Sequence, residues 1–243
     1  MKKSIVIFRA TGPIKNLALE KEFIKNNFKT ITFPILKIIS IKSSDINLNL
    51  TQAVLVTSLF GLHYFSNIVK NRKVRLFILG ETTKKLAIKL GYTNIIDCEG
   101  DSVKMLEVIK KSVRKEEGEL IYAGAKKISL DLPSLLTSIG YKVNRLILYE
   151  STYINKFNKI FLELLKNDQI SWIVLLSSKG AKNFMRLSKL NIDKKKLALV
   201  KFCCLSSNIS DELKIENINK FFPKKPKIKN IIDLIINHEV KNG

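Results

Sequence analysis

The chain has 243 residues, of which 46% are hydrophobic and 26% charged, a globular composition that excludes intrinsic disorder. Its length fits one large domain or two modest ones, with a core that needs no disulfide or metal for stability. The formal charge of +22 favours polyanionic partners, but only six of the 43 basic residues are Arg, the side chain preferred for reading nucleic-acid bases, so no specific nucleic-acid partner is expected.

Short apolar runs alternate with helical patterns along nearly the whole chain. The runs predict strands at residues 4–10, 30–35, 53–57, 75–79, 94–97, 119–123, 172–176 and 199–205. The helical patterns predict helices at 17–27, 59–69, 82–90, 103–115, 131–139, 159–167, 181–190, 211–215 and 229–238. Several strands are apolar at consecutive positions, which is typical of strands covered on both faces, so the sequence indicates an α/β protein with parallel sheets.

Two segments interrupt this alternation. Residues 36–42 follow a strand with no helix between, and residues 143–154 are too long for one short buried strand. We interpret both as connecting strands between two α/β domains, the first built from 1–37 and 155–243 and the second from 43–143. The alternative is one continuous sheet of eight or more strands, which is already large for a single sheet.

Neither the N-terminal segment nor the cysteines indicate export. The apolar run at residues 5–8 ends at Arg9 and is too short for a signal peptide, and no stretch approaches the ~20 apolar residues of a membrane span. Cys98, Cys203 and Cys204 are an odd number of thiols that suits a reducing compartment. The sequence therefore predicts a cytoplasmic protein without a membrane partner.

The usual catalytic and metal-binding patterns are missing from the sequence. The histidines are His63, which the helical pattern predicts to be a packing or surface residue, and His238, which lies in a C-terminal tail expected to fray. With three unspaced cysteines there is no zinc signature, and no phosphate-loop or dinucleotide-binding motif occurs. We expect no metal site.

A strand that ends in small or hydroxyl residues just before a helix recurs five times. Ligands of α/β sheets bind beyond the carboxyl ends of the strands, where helix N-termini attract anions. Any one of these residues could be a simple helix cap, but five such turns suit a ligand with many carboxylates. The turns contain Thr57 and Ser58; Gly80, Thr82 and Thr83; Gly124; Ser177 and Ser178; and Ser206, Ser207 and Asn208.

The order of these motifs resembles that of a known family. In chain order they are Phe8-Arg9-Ala10, residues 54–58, residues 79–83, Gly100-Asp101-Ser102, residues 120–124, residues 136–143, residues 148–152 and Ser177-Ser178. Over residues 4–236 this pattern resembles uroporphyrinogen-III synthase of the haem pathway. The C-terminal turn departs from the family because Ile209 cannot bind a carboxylate, and Arg9 lacks the Pro that usually follows it.

The resemblance implies two parallel-sheet α/β domains joined by a two-stranded β-ladder, with the substrate cleft between them. It also implies a lyase that acts on hydroxymethylbilane, a linear tetrapyrrole and polycarboxylate. Hydroxyl is lost, the terminal pyrrole ring is inverted through a spiro intermediate, and the ring closes as uroporphyrinogen III. No cofactor is implied, and the protein is expected to be a monomer.

The same resemblance assigns roles to individual residues. Tyr149 matches the tyrosine proposed to donate a proton to the leaving hydroxyl, and its alternative role is a ladder aromatic with its hydroxyl at the surface. Substrate binding is implied for Arg9, Thr57, Ser58, Gly80, Thr82, Thr83, Gly124, Ser177, Ser178, Ser206, Ser207 and Asn208.

Two other functions fit parts of the sequence. The charge of +22 is compatible with a non-enzymatic nucleic-acid-binding protein, although no nucleic-acid-binding motif is present. The paired domains are also compatible with a non-catalytic binder of a small anionic ligand, which would bind product without turnover.

Overall fold

The computed structural model describes residues 3–14, 17–43 and 46–242. Within these ranges the strands are β1 (Ser4–Thr11), β2 (Lys29–Ser40), β3 (Thr51–Val56), β4 (Leu76–Ile78), β5 (Ile95–Asp97), β6 (Glu119–Ala125), β7 (Val143–Tyr153), β8 (Ile170–Leu175), β9 (Lys201–Cys204) and β10 (Asn219–Phe221). The helices are α1 (Ala18–Lys25), α2 (Leu59–Ile68), α3 (Glu81–Lys89), α4 (Ser102–Ser112), α5 (Leu132–Ser138), α6 (Lys159–Lys166), α7 (Ser178–Asn191), α8 (Lys194–Ala198), α9 (Ser207–Ser210) and α10 (Ile228–Asn242).

The chain divides into two compact units. Unit 1 contains Met1–Ile38 and Thr152–Gly243, and unit 2 contains Ile39–Ser151. The strand order is β10-β9-β8-β1-β2 in unit 1 and β7-β6-β3-β4-β5 in unit 2, and neighbouring strands within each order are parallel. The predicted α/β class with parallel strands is confirmed.

The core of unit 1 explains why its strands are apolar at consecutive positions. In β1, Val6 and Phe8 join a core cluster that includes Phe161 of α6, whose ring meets that of Phe8 edge-on at 4.9 Å. Ile5 and Ile7 join a second cluster. Successive side chains of a strand point to opposite faces, so a strand buried on both faces needs apolar residues throughout.

A core cluster of unit 2 is built from strands and the helices that follow them. Leu55 of β3, Phe77 of β4 and Leu120 of β6 are at most 1% exposed and pack with Ile109 of α4 and Leu136 of α5. Burial of one such side chain contributes about 1.5–3 kcal/mol, so these strand–helix contacts stabilise the unit.

Two local predictions are corrected by the structure. The helix predicted at 211–215 does not form; the helix here is the four-residue α9, which begins after the extended Ser206 and ends before Asp211. This earlier start buries Ile209, while Leu213 is buried beyond the helix. The segments 30–35 and 36–42 are not separate strands, because 29–40 is the single strand β2.

The two histidines both contact aromatic rings. His238 does not lie in a frayed tail, because it is within α10 and its ring meets those of Trp172 at 5.2 Å and Phe221 at 5.0 Å. His63 is half-buried on α2 beside the ring of Tyr64 at 5.2 Å, as a packing residue would be.

Among the residues that the structure describes, no helix combines the length and apolar character required to cross a bilayer.

Candidate active site

The carboxyl edge of the unit 2 sheet gathers most of the predicted site residues. Leu55 of β3 is paired with Tyr122 of β6, and Ala125 of β6 is paired with Tyr149 of β7. This register places the end of β3, with Thr57 and Ser58 directly after it, at the same edge as Gly124 and Tyr149. Parallel strands bring their carboxyl ends together, so residues far apart in sequence meet here.

Tyr149 is held at this edge by the first turns of α2. Its hydroxyl oxygen lies 2.9 Å from Ser58 Oγ, and Ser58 is the N-cap of α2, accepting a hydrogen bond from the Gly61 N–H at 3.0 Å. The Tyr149 ring is stacked on that of Tyr64 and tilted against that of Phe60, each centroid 6.0 Å away. Tyr149 is 7% exposed. It is therefore a buried phenol with a fixed ring and a fixed hydroxyl.

The environment of Tyr149 favours the protonated phenol. Burial raises its pKa above the ordinary value near 10, and the hydrogen bond with Ser58 lowers it by a smaller amount. The net pKa is raised, so Tyr149 carries its proton at neutral pH and can act as a donor.

A second hydroxyl pair lies beside the first. Thr57 Oγ1 is 2.9 Å from the hydroxyl oxygen of Tyr122, whose pKa is raised by burial and lowered to a smaller extent by that bond. A Cβ added to Gly124 would lie 2.7 Å from Cε1 of the Tyr122 ring, so the glycine leaves the space that this ring fills. Gly124 thus positions Tyr122 by having no side chain.

The third turn of unit 2 follows β4. Gly80 has φ of +84°, a conformation that glycine adopts without strain, and is the N-cap of α3. Thr83 is only 4% exposed, whereas Thr82 is half-buried. Of the two threonines, Thr82 therefore presents more of its side chain to a ligand.

The carboxyl edge of unit 1 gathers the remaining predicted residues. Phe8 is paired with Leu175, and Leu175 is paired with Cys204. Arg9, Ser177 and Ser206 follow these three residues by one or two positions. They therefore lie at one edge of the unit 1 sheet.

The two serine turns at this edge differ in structure. Ser177 is the N-cap of α7 and its Oγ accepts the Gly180 N–H at 3.1 Å, whereas Ser178 is the first residue of the helix. Ser206 is the N-cap of α9 but makes no capping bond with its side chain. Ser207 and Asn208 are exposed within this short helix.

Arg9 is engaged with an acidic partner in the same unit. Its Nη2 lies 3.4 Å from Oε2 of Glu20, and the two side chains are 19% and 9% exposed. Thr32 donates its hydroxyl hydrogen to Oε1 of Glu20 at 2.8 Å. Burial lowers the pKa of Arg9, and the charge of Glu20 raises it by a smaller amount. A guanidinium nevertheless remains charged at any physiological pH.

Several neighbours of the predicted residues in each unit are not identified by the sequence pattern. Tyr122, Tyr64, Phe60 and Gly61 surround the two hydroxyl pairs, and Glu20 faces Arg9. Tyr122 stands two positions before Gly124 in the motif at residues 120–124, so its place on the same strand could have indicated it. The others become neighbours of the site only through the fold.

The described part of the chain offers little for metal-ion or thiol chemistry. It contains no group of three or more His, Cys, Asp or Glu side chains that could hold a metal ion. The three cysteines are buried free thiols, and burial raises the pKa of Cys98 to about 11 and that of Cys203 further still. The predicted site residues offer phenol and alcohol hydroxyls, helix N-termini and the guanidinium of Arg9.

Parallel strands with helix-capping hydroxyls at their carboxyl edges, together with a buried protonated tyrosine, define an α/β protein equipped to bind an anionic ligand and supply a proton. The family model of uroporphyrinogen-III synthase HemD (HEM4) matches residues 18–233, and the chain belongs to this family. It is accordingly a cyclising hydro-lyase of haem biosynthesis that acts on a tetrapyrrole.

Solved structures show the same fold. A uroporphyrinogen-III synthetase from Helicobacter pylori 26695 is 15% identical, with a TM-score of 0.64 over 97% of this chain and 99% of that one. A mutant uroporphyrinogen III synthase from the extremely thermophilic bacterium Thermus thermophilus is 14% identical, with a TM-score of 0.57 over 98% of this chain and 99% of that one. No curated protein matched the sequence.

Proposed function

We propose that the chain converts hydroxymethylbilane into uroporphyrinogen III with Tyr149 as the proton donor to the departing hydroxyl. The observation that carries this role is the position of Tyr149, a buried phenol at a carboxyl edge whose hydroxyl and ring are both held by α2. Hydroxide is a poor leaving group, and general-acid assistance of such a step typically contributes about 10²–10⁴-fold in rate.

The proton balance of the reaction closes with one tyrosine. Tyr149 gives its proton to the hydroxyl, which leaves as water, and the resulting cation is stabilised by the electron-rich pyrrole. The terminal pyrrole attacks the cation through its substituted carbon, which forms the spiro intermediate. The bond from that carbon to its original methylene bridge then breaks, and the methylene bonds instead to the unsubstituted carbon of the same ring, which inverts the ring. This second carbon releases its proton as the aromaticity of the pyrrole is restored. That proton returns to the tyrosinate, so the enzyme ends in its starting protonation state.

The substrate carboxylates would be bound at the carboxyl ends of the strands of each unit. Backbone N–H groups at helix N-termini attract anions without a basic side chain. We assign substrate binding to Arg9 and to the turns at Thr57, Gly80, Gly124, Ser177 and Ser206, with their neighbours Thr82, Thr83, Ser178, Ser207 and Asn208. For Ser58 its contact with Tyr149 supports a different role. The two-domain division with a connecting ladder and a cleft, the monomeric state and the cytoplasmic location stay predictions.

The test is the isomer ratio of the product. Purified protein is incubated with freshly generated hydroxymethylbilane, and the uroporphyrinogen isomers are oxidised and separated by chromatography. We expect isomer III in excess, whereas heat-denatured protein should give the isomer formed by unassisted closure. An unchanged ratio would contradict the proposal, and product binding without turnover would identify a non-catalytic binder.

A further inference from the structure

Ser58 makes two hydrogen bonds with different partners. Its Oγ accepts the Gly61 N–H at 3.0 Å, and the same atom lies 2.9 Å from the Tyr149 hydroxyl oxygen. A hydroxyl has one proton to donate and two acceptor positions. The Gly61 N–H occupies one acceptor position, so the contact with Tyr149 has two possible directions: Ser58 donates to Tyr149, or Tyr149 donates to Ser58.

Only one direction leaves Tyr149 able to act as an acid toward substrate. A phenol has a single proton, and if Tyr149 donates it to Ser58, none is available for the departing hydroxyl. We propose that Ser58 is a positioning residue for Tyr149: it donates its proton to the Tyr149 oxygen, so that the phenol proton points away from Ser58 and toward the substrate. This inference rests on the proposed function of Tyr149.

The helix that carries Ser58 also holds the ring of Tyr149. Phe60 and Tyr64, two and six positions after Ser58, contact that ring with centroids 6.0 Å away. The ring contacts fix where the hydroxyl lies, and the Ser58 bond fixes how it is rotated. α2 therefore determines both the place and the direction of the proton.

The same bond has a role after the proton has left. The tyrosinate oxygen accepts a hydrogen bond from the Ser58 hydroxyl, and Ser58 Oγ in turn accepts one from the Gly61 N–H in the first turn of α2. The N-terminus of a helix carries a positive partial charge, which stabilises a nearby anion. Ser58 thereby connects the developing negative charge on Tyr149 to the helix N-terminus.

This role differs from the substrate contact that the family resemblance implies for Ser58. A substrate ligand would act on affinity whatever residue stands at position 149. A positioning residue acts through Tyr149 alone, so its effect must vanish when the Tyr149 hydroxyl is absent.

The test is a double-mutant cycle on isomer III formation with Ser58→Ala and Tyr149→Phe. We expect Tyr149→Phe to lower kcat by about 100-fold, within the usual range of general-acid catalysis. Ser58→Ala should lower kcat by about tenfold with little change in KM, equivalent to about 1.4 kcal/mol at the transition state. In the Tyr149→Phe background, Ser58→Ala should change kcat by less than about twofold, because the hydrogen bond between the two side chains is then already absent.

Two further variants separate positioning from helix capping. Ser58→Thr keeps the hydroxyl and should retain activity. Asp101→Ala removes the N-cap of α4 in the same unit, where Asp101 accepts from Val103 and Lys104 N–H groups. Asp101→Ala should lower thermal stability with kcat unchanged. Ser58→Ala should lower thermal stability in both the wild-type and the Tyr149→Phe background, but it should lower kcat only in the wild-type background.

A measurement without turnover keeps this inference distinct from the proposed function. The ultraviolet tyrosinate titration of Tyr149, identified by difference from Tyr149→Phe, should move to higher pH in Ser58→Ala, since the lost bond favours the anion. An unmoved titration, or an equal loss of kcat in both backgrounds, would overturn the role of Ser58 with the proposed function intact. Absence of isomer III from the wild-type protein, or full activity of Tyr149→Phe, would overturn the proposed function itself.

Discussion

Gly61 of α2 lies directly against the carbonyl oxygen of Ala123 in β6. A Cβ built on Gly61 would be 2.8 Å from that backbone oxygen and 3.0 Å from Ser58 Oγ. Real Cβ atoms do not approach a backbone oxygen so closely. The glycine therefore allows the first turn of α2 to rest on the strand, which brings Ser58 within reach of Tyr149.

Gly61→Ala is expected to destabilise the protein. Alanine is favoured over glycine in a helix by about 1 kcal/mol, but the backbone cannot yield without moving α2, and overpacking costs about 1–3 kcal/mol. We expect a net loss of up to about 2 kcal/mol in the free energy of unfolding, measured by urea denaturation. Gly180 has the equivalent place in α7, and its Cβ would meet only side-chain atoms at 3.0 and 3.2 Å. Gly180→Ala should cost less; an equal or larger cost would contradict this explanation.

Glu239 of α10 is the partner of two side chains on the unit 1 sheet. Trp172 donates its Nε1–H to Glu239 Oε1 at 2.8 Å, and the Lys201 ammonium donates to the same oxygen at 2.6 Å. Burial acts to raise the pKa of Glu239, but these bonds and the charge of Lys201 outweigh burial and lower it. A carboxyl with a lowered pKa adds stability above its unfolded value, about 4.3, and this stability is lost as the pH falls through the folded value.

Glu239→Gln should therefore destabilise the protein by up to about 1 kcal/mol at pH 7, since the pair is partly exposed to solvent. Urea denaturation from about pH 7 to pH 3 should show the wild-type advantage shrinking below the unfolded pKa of about 4.3. The control is Glu22→Gln, which breaks an exposed pair with Lys25 and should have no measurable effect. A pH-independent difference for Glu239→Gln would rule out the ion pair as its cause.

Local sequence pattern was sufficient to predict the buried strands but not every helix. The consecutive apolar residues of β1 and β8 predicted strands covered on both faces because each side of a strand carries alternate residues. Helix α9 could not be predicted, since four residues have little helical preference of their own and the helix is held by burial of Ile209.

The candidate site shows the same division between pattern and fold. The hydroxyl turns were visible in the sequence, but Thr57 and Tyr122 are 65 residues apart and Ser58 and Tyr149 are 91 residues apart. No local signal pairs these residues. Their contact depends on the strand register at the carboxyl edge, which only the tertiary structure supplies.

The ion pair of Arg9 with Glu20 allows structural and binding roles of Arg9 to be separated. Removing one charge leaves the other poorly compensated in a largely buried place, so Arg9→Leu and Glu20→Gln should each cost about 2 kcal/mol in unfolding free energy. The double variant should recover part of this loss, and Gln keeps an acceptor for the Thr32 hydroxyl. If Arg9 binds a substrate carboxylate, KM should stay raised by about tenfold in the double variant, as a lost charge-assisted hydrogen bond predicts. A KM that recovers together with stability would assign Arg9 a purely structural role.

Gly124→Ala tests whether the position of Tyr122 matters for activity. The added Cβ would meet the Tyr122 ring at 2.7 Å, and a side chain can move where a backbone cannot, so the protein should fold with a smaller loss of stability than Gly61→Ala. Displacing the ring would break the hydrogen bond between Tyr122 and Thr57. Both hydroxyls would then lose their fixed positions at the edge where substrate is proposed to bind. We expect KM for hydroxymethylbilane to rise by about threefold to tenfold, the equivalent of one ordinary hydrogen bond. Tyr122→Phe, which removes the same bond without crowding the strand, should change KM in the same direction; wild-type kinetics in both variants would exclude this hydroxyl pair from the site.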